Sequence, residues 1–221
     1  MDIRKFTYAL PVSFLACATL LAAGVSCAQT TDASEIPRFS LTPFGGYMFG
    51  GEFRDDEAML SVDLDDAAHL GLIFDIREGA NTQWEIFYSR QQTEADTSGV
   101  VPTQPVTDID IHYLQLGGTY VADGERARPF LAATLGVTRF DPDPLAFDSE
   151  NFFSFGIGAG WYLQASERLN FRLEARALGT LLRSDSSLFC RTGPDENICA
   201  LIADGDFFWQ FQTSLGVAFR F

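Results

Sequence analysis

The segment FFWQFQTSLGVAFRF, residues 207–221, decides the fold. Phe207, Trp209, Phe211, Thr213, Leu215, Val217, Phe219 and Phe221 share one parity. Phe208, Gln210, Gln212, Ser214, Gly216, Ala218 and Arg220 share the other. Successive side chains of a strand point to opposite faces, so alternation this long marks a strand with one apolar face and one mostly small or polar face.

Working back towards the amino terminus, the same alternation recurs. Residues 168–182 set Phe171, Leu173, Ala175 and Ala177 against Arg172, Glu174 and Arg176. Residues 152–163 set Phe153, Phe155, Ile157, Ala159, Trp161 and Leu163 against Ser154, Gly156, Gly158 and Gly160. Residues 129–140 and 107–121 carry Leu131, Leu135, Val137, Leu114, Leu116 and Tyr120 opposite small or polar positions. Residues 82–92 set Trp84, Ile86 and Tyr88 against Glu85, Phe87 and Ser89, and 67–76 set Leu70, Leu72, Phe74 and Ile76 against His69, Gly71 and Asp75. Residues 38–50, less cleanly phased, bring the number of strands to eight.

The connections alternate strictly. Residues 77–81, 122–126 and 164–167 are short turns, whereas 51–66, 93–106, 141–151 and 183–206 are long. An even strand count with short turns at one end and long loops at the other predicts an all-β, antiparallel up-and-down transmembrane barrel. Sequential strands would be neighbours, with both termini on the periplasmic side. A soluble lipocalin-like barrel would turn the apolar parity inward. Here the other parity is the one suited to a narrow interior, being small residues plus a few charges. Trp84, Tyr120, Trp161, Trp209, Phe219 and Phe221 lie near strand ends, where interfacial aromatic girdles belong.

The amino terminus predicts export. Arg4 and Lys5 precede an apolar run, residues 6–25, interrupted only by Pro11, and Ser26-Cys27-Ala28 then places small residues at a cut before Gln29. An anchor helix would want about 20 uninterrupted apolar residues. Lipidation of Cys27 would want a branched aliphatic where Gly24 stands. The organisation expected is a signal peptide over 1–28, a short periplasmic segment over 29–37, and an outer-membrane barrel over 38–221. Cys17 and Cys27 would leave with the signal, so Cys190 and Cys199, bracketing CRTGPDENIC, read as one disulfide of an exported chain.

The formal net charge is −15, from 15 Lys+Arg against 30 Asp+Glu. Such a surface repels phosphate backbones and argues against nucleic acid as a partner. The expected partners are outer-membrane lipid and lipopolysaccharide, and the barrel assembly machinery during insertion, with the protein a monomer.

LTPFGGYMFGGEF (41–53), QWEIFYSRQ (83–91), RPFLAATLGVTRF (128–140) and residues 168–190 with their LEARA core together resemble a proteobacterial family of small eight-stranded outer-membrane β-barrel proteins. The C-terminal Phe221, with Leu215, Val217 and Phe219 at alternating positions before it, looks like the signal by which such barrels are recognised for insertion. The resemblance covers nearly all of the chain after the signal segment. It implies fold and location and supplies no catalytic residue.

The chemistry-bearing positions are few. Asp75, Glu85, Arg172, Glu174 and Arg176 all fall on the inward parity, where charges are costly unless paired. They read either as an electrostatic gate in a narrow pore or as a polar plug. Acids crowd the first long connection (Glu52, Asp55, Asp56, Glu57, Asp63, Asp65, Asp66) and the third (Asp141, Asp143, Asp148, Glu150), but with no EF-hand spacing. His69 and His112 stand in no His-x-Ser, His-Glu-x-x-His or Gly-x-Ser-x-Gly pattern, and Gly45-Gly46 and Gly50-Gly51 read as close strand packing. No enzyme, cofactor or metal site is therefore expected. The function expected is structural or surface-interactive, through the long loops, with Phe189, Ile198 and Leu201 beside the cysteines as contact candidates. The alternative is a narrow conduit gated by the lumen charges.

Overall fold

The computed structural model describes residues 37–55, 60–96, 106–142, 149–182, 190–192, 197–199 and 207–221. The predicted signal peptide, residues 1–28, lies outside them, as do residues 29–36 of the segment after it.

Among the described residues the strands are β1 (Phe39–Phe49), β2 (Glu52–Asp55), β3 (Leu60–Asp63), β4 (Ala67–Arg77), β5 (Thr82–Asp96), β6 (Val106–Val121), β7 (Ala127–Pro142), β8 (Glu150–Gln164), β9 (Leu169–Leu181), β10 (Cys190–Thr192), β11 (Asn197–Cys199) and β12 (Phe207–Arg220). Eight of them close a barrel in the order β1-β12-β9-β8-β7-β6-β5-β4, every pair antiparallel. The remaining four form two short hairpins, β2-β3 and β10-β11, set within the first and fourth long connections.

The seam joins the first strand to the last. At its end Phe39 N donates to Phe221 O at 3.1 Å and Phe221 N to Phe39 O at 3.0 Å. The three short turns lie at this same end, each tightened by backbone bonds such as Glu78 N to Thr82 O and Ser166 N to Leu169 O. It is the turn end of the barrel. The opposite, loop end carries the long connections.

The apolar parity faces outward. Leu70, Leu131 and Ile157 are each more than 60% exposed, and Trp84, Leu114, Leu116, Leu135, Leu215 and Phe211 follow the same pattern around the wall. A continuous apolar surface of this extent far exceeds the few hundred Å² that a soluble monomer exposes. A surface of that kind suits lipid, where every backbone polar group must be paired within the protein, as a closed barrel achieves. Phe39, Trp84, Tyr120, Trp161, Phe171 and Phe219 ring the turn end. Tyr47, Phe49, Phe153, Phe207 and Trp209 do so nearer the loops, where Phe155 meets Trp209 edge to face at 5.3 Å.

Strands β5 and β7 run further towards the loop end than the alternation alone predicts, to Asp96 and to Pro142, and β6 starts at Val106, one residue before its predicted bound. Fifteen or sixteen residues each, they exceed the roughly 9–11 a tilted strand needs to cross a bilayer. Apolar alternation stops at the lipid boundary, whereas the backbone ladder continues above it. At the head of β1, Gly50 (φ 74°) and Gly51 (φ 116°) take left-handed backbone that ends the strand and starts the β2-β3 hairpin. A Cβ on Gly51 would also strike the Phe208 ring and Leu64. At Gly46 a Cβ would fall on the Thr213 backbone of the neighbouring strand, so the first seam tolerates no side chain there.

Candidate functional site

Inside the barrel, the inward parity brings five charges from three strands together. Asp75 comes from β4, Glu85 from β5, and Arg172, Glu174 and Arg176 from β9. All five are 3% exposed or less. Because strand side chains repeat every second residue, Arg172, Glu174 and Arg176 stand in a column on one strand, with the carboxylate between the two guanidinium groups.

Glu174 accepts from Arg172 Nε through Oε2 and from Arg176 Nε through Oε1, both at 2.8 Å. Across the lumen, Glu85 accepts from the same two residues: Arg172 Nη2 to Oε2 at 2.8 Å and Arg176 Nη2 to Oε1 at 2.5 Å. Thr119 Oγ1 donates to Glu85 Oε2 at 2.6 Å, and Arg172 Nη1 donates to Tyr162 OH at 2.8 Å. Two cations and two carboxylates thus close a ring of charge-assisted bonds, the arrangement that lets charges persist away from water. Asp75 stands apart, 3.8 Å from Arg172 Nη1, with no hydrogen bond to either oxygen.

Aromatic rings bracket the ring of charges. Arg172 lies over Phe130 at 4.5 Å, and Arg176 over Phe87 at 4.1 Å. Phe87 in turn stacks on Phe44 at 5.6 Å. From there to the loop end large apolar side chains fill much of the interior, among buried Gln, Ser and Thr: Met48, Ile73, Ile111, Tyr113, Phe140, Leu178 and Phe208 are all essentially inaccessible. Phe140 meets Phe208 edge to face at 5.4 Å. Tyr113 OH donates to Gln210 Oε1 at 2.6 Å, and Gln210 Nε2 to Gln91 Oε1 at 2.9 Å, whereas Gln91 Nε2 and the Gln212 amide are buried without a hydrogen-bond partner.

This apolar layer was the part the alternation did not announce. Phe87 and Phe208 stand out as large residues on the inward parity, and Ile111 and Tyr113 lie inside the predicted strand 107–121, but Phe140 and Phe152 are the terminal residues of theirs. Their signal is a large apolar residue on the inward parity at the loop end of several strands.

The two histidines lie on opposite faces of the barrel. His69 is buried, with Nδ1 3.2 Å from Ser89 Oγ and Nε2 3.3 Å from Thr213 O. His112 faces outward, 3.0 Å from Tyr88 OH. Of the acids in the first connection, Asp66 Oδ1 accepts from Gly50 N at 3.0 Å. No group of three or more potential metal ligands occurs among the described residues. Cys190 and Cys199 are direct backbone partners in the β10-β11 ladder. Their side chains, like those of Phe189, Ile198 and Leu201, lie outside what the structure describes.

No protein-family model and no curated protein matches the chain. Solved structures do. The crystal structure of Neisserial surface protein A (NspA) superposes with a TM-score of 0.58 at 12% identity, over 83% of this chain and 97% of that one. The outer membrane protein OprG from Pseudomonas aeruginosa gives 0.50 at 14% identity, over 86% and 99%. At such identities the likeness is one of fold: these neighbours and this chain are small eight-stranded barrels of the outer-membrane type.

Proposed function

We propose that the protein is an integral outer-membrane barrel that conducts nothing and acts through the loops it displays, with both termini on the periplasmic side. The observation that carries this is the filled lumen: a closed ion-pair ring beneath a layer of interlocked aromatic side chains. An eight-stranded barrel has room for side chains and little else, and here both chemistries use that room. The lumen charges act as a plug, each carboxylate of the ring already holding both arginines. The two histidines stand apart, His69 bonded to Ser89 inside the barrel and His112 to Tyr88 outside it, which supports a non-enzymatic role.

The rest of the reading follows from export. Residues 1–28 are removed as a signal, and Leu215, Val217, Phe219 and Phe221 guide insertion. Cys190 and Cys199 form a disulfide that pins the fourth loop. Directly opposed antiparallel residues have Cα atoms about 4.5–5.5 Å apart, within the range a disulfide spans.

Refolded full-length mature protein in a planar bilayer tests the central statement, with refolding verified by a heat-modifiable gel shift. The expected result is a silent bilayer. Discrete conductance steps that change on Arg176→Ala would overturn the plug and make the ring a gate.

A further inference from the structure

The outer wall changes chemistry abruptly at one boundary on four neighbouring strands. Towards the loop end, the outward row Tyr88, Leu114, Val137, Phe153 is followed by the row Arg90, His112, Arg139, Asn151. Each member of a row is the direct cross-strand partner of the next, so their Cβ atoms lie about 5 Å apart. In a chain with a net charge of −15, this boundary carries two arginines and a histidine on the outside of the barrel.

The side chains are held for use. Arg90 Nη2 donates to Asp110 Oδ2 at 2.8 Å, and Arg139 Nη2 donates to Ser149 Oγ at 2.8 Å with Asp141 Oδ2 3.5 Å away. Both arginine side chains remain part exposed, 40% and 46%. A groove runs down the wall here, with Tyr88, Leu114 and Val137 below and His112, Arg139, Asp141 and Asn151 around its upper part, and Arg90 beside it as the cross-strand partner of His112. The Tyr88 and His112 rings stack at 6.2 Å and form one side. A ligand fitting this groove has an anionic head above and an apolar tail below. A guanidinium pairs bidentately with carboxylate or phosphate, and of the two it is phosphate that membrane lipids carry at this depth.

We propose that Arg90, His112 and Arg139 form a binding site for a phosphate group of the phosphorylated glycolipid of the outer leaflet, whose acyl chain lies along Leu114 and Val137. The assignment of leaflet rests on the orientation given under Proposed function; the site itself does not. Asp110 and Asp141 position the two arginines and offset part of their charge, so the phosphate binds through the guanidinium N–H groups the carboxylates leave free.

The test is native mass spectrometry of the refolded mature protein in detergent, titrated with bisphosphorylated lipid A, its dephosphorylated form, and phosphatidylglycerol. The expected result is binding of the bisphosphorylated lipid about tenfold tighter than of either control, lost in Arg90→Gln/Arg139→Gln. The turn-end pair Arg38→Gln/Arg168→Gln, equally depleted of charge, should bind as the parent does. A loop-end variant that keeps its gel shift and binds undiminished would overturn the site, as would equal binding of the dephosphorylated lipid. Equal binding of phosphatidylglycerol would overturn the glycolipid. Micelle binding is blind to leaflet, so labelling of Asp123→Cys on intact cells tests the orientation separately; label there would sink the orientation and leave the site standing.

Discussion

Two layers fill this lumen, and they do so by opposite chemistry. Near the turn end, Glu85, Arg172, Glu174 and Arg176 satisfy one another in a ring of charge-assisted bonds. Nearer the loops, Phe44, Phe87, Tyr113, Phe140 and Phe208 exclude water by packing. The first layer is an all-or-nothing device, because removing one member strands its partners in a dry interior. The second is graded, because each ring contributes its own buried area and leaves behind only a cavity. The arginine–aromatic contacts at Phe87 and Phe130 couple the two.

That contrast can be broken experimentally. The largest loss is expected from Glu85→Gln, which takes a carboxylate from two arginines at once and should cost about 4 kcal/mol in equilibrium urea unfolding of the refolded barrel. Phe208→Ala should cost about 3 kcal/mol in the same assay, leaving a cavity beside Phe140. The double change Glu85→Met/Arg176→Met removes a cation with an anion. It should cost only about 2 kcal/mol, less than Glu85→Gln alone; a double variant weaker than Glu85→Gln would mean that the ring is not a balanced unit. Smallest is Tyr113→Phe, which keeps the ring and loses the bond to Gln210, for about 1 kcal/mol.

The same contrast explains what could be read before any coordinates. A strand in lipid writes its outward face as every second residue, so β12 and β9 were legible residue by residue, and the strand order followed from the alternation of turn lengths. Charges on the inward parity, such as Arg172, Glu174 and Arg176, stood out against that pattern. Their partners across the barrel did not, because which level of β5 meets which level of β9 depends on strand stagger, which the period of two leaves undetermined. The aromatic layer was harder still. Above the lipid boundary, as at Phe140 and Ile111, outward residues turn polar while inward ones turn apolar, and the alternation inverts. The boundary row Arg90–His112–Arg139 is where that inversion begins, and it becomes visible only when the ladder sets the three strands side by side.

The seam between β1 and β12, latched by Phe39 and Phe221, has a consequence for the life of the chain before it has a shape. Strand β1 is the first of the barrel to emerge during synthesis and its second neighbour is the last. Until β12 is present, a row of unpaired amides on β1 has no partner, and lipid offers none. Assembly therefore cannot proceed one hairpin at a time in the bilayer and stop part-way: the cylinder is a product of the finished polypeptide, reached slowly because its closing contact spans the whole sequence. A chain truncated within β12 should leave no half-built barrel in the membrane, only material for proteases.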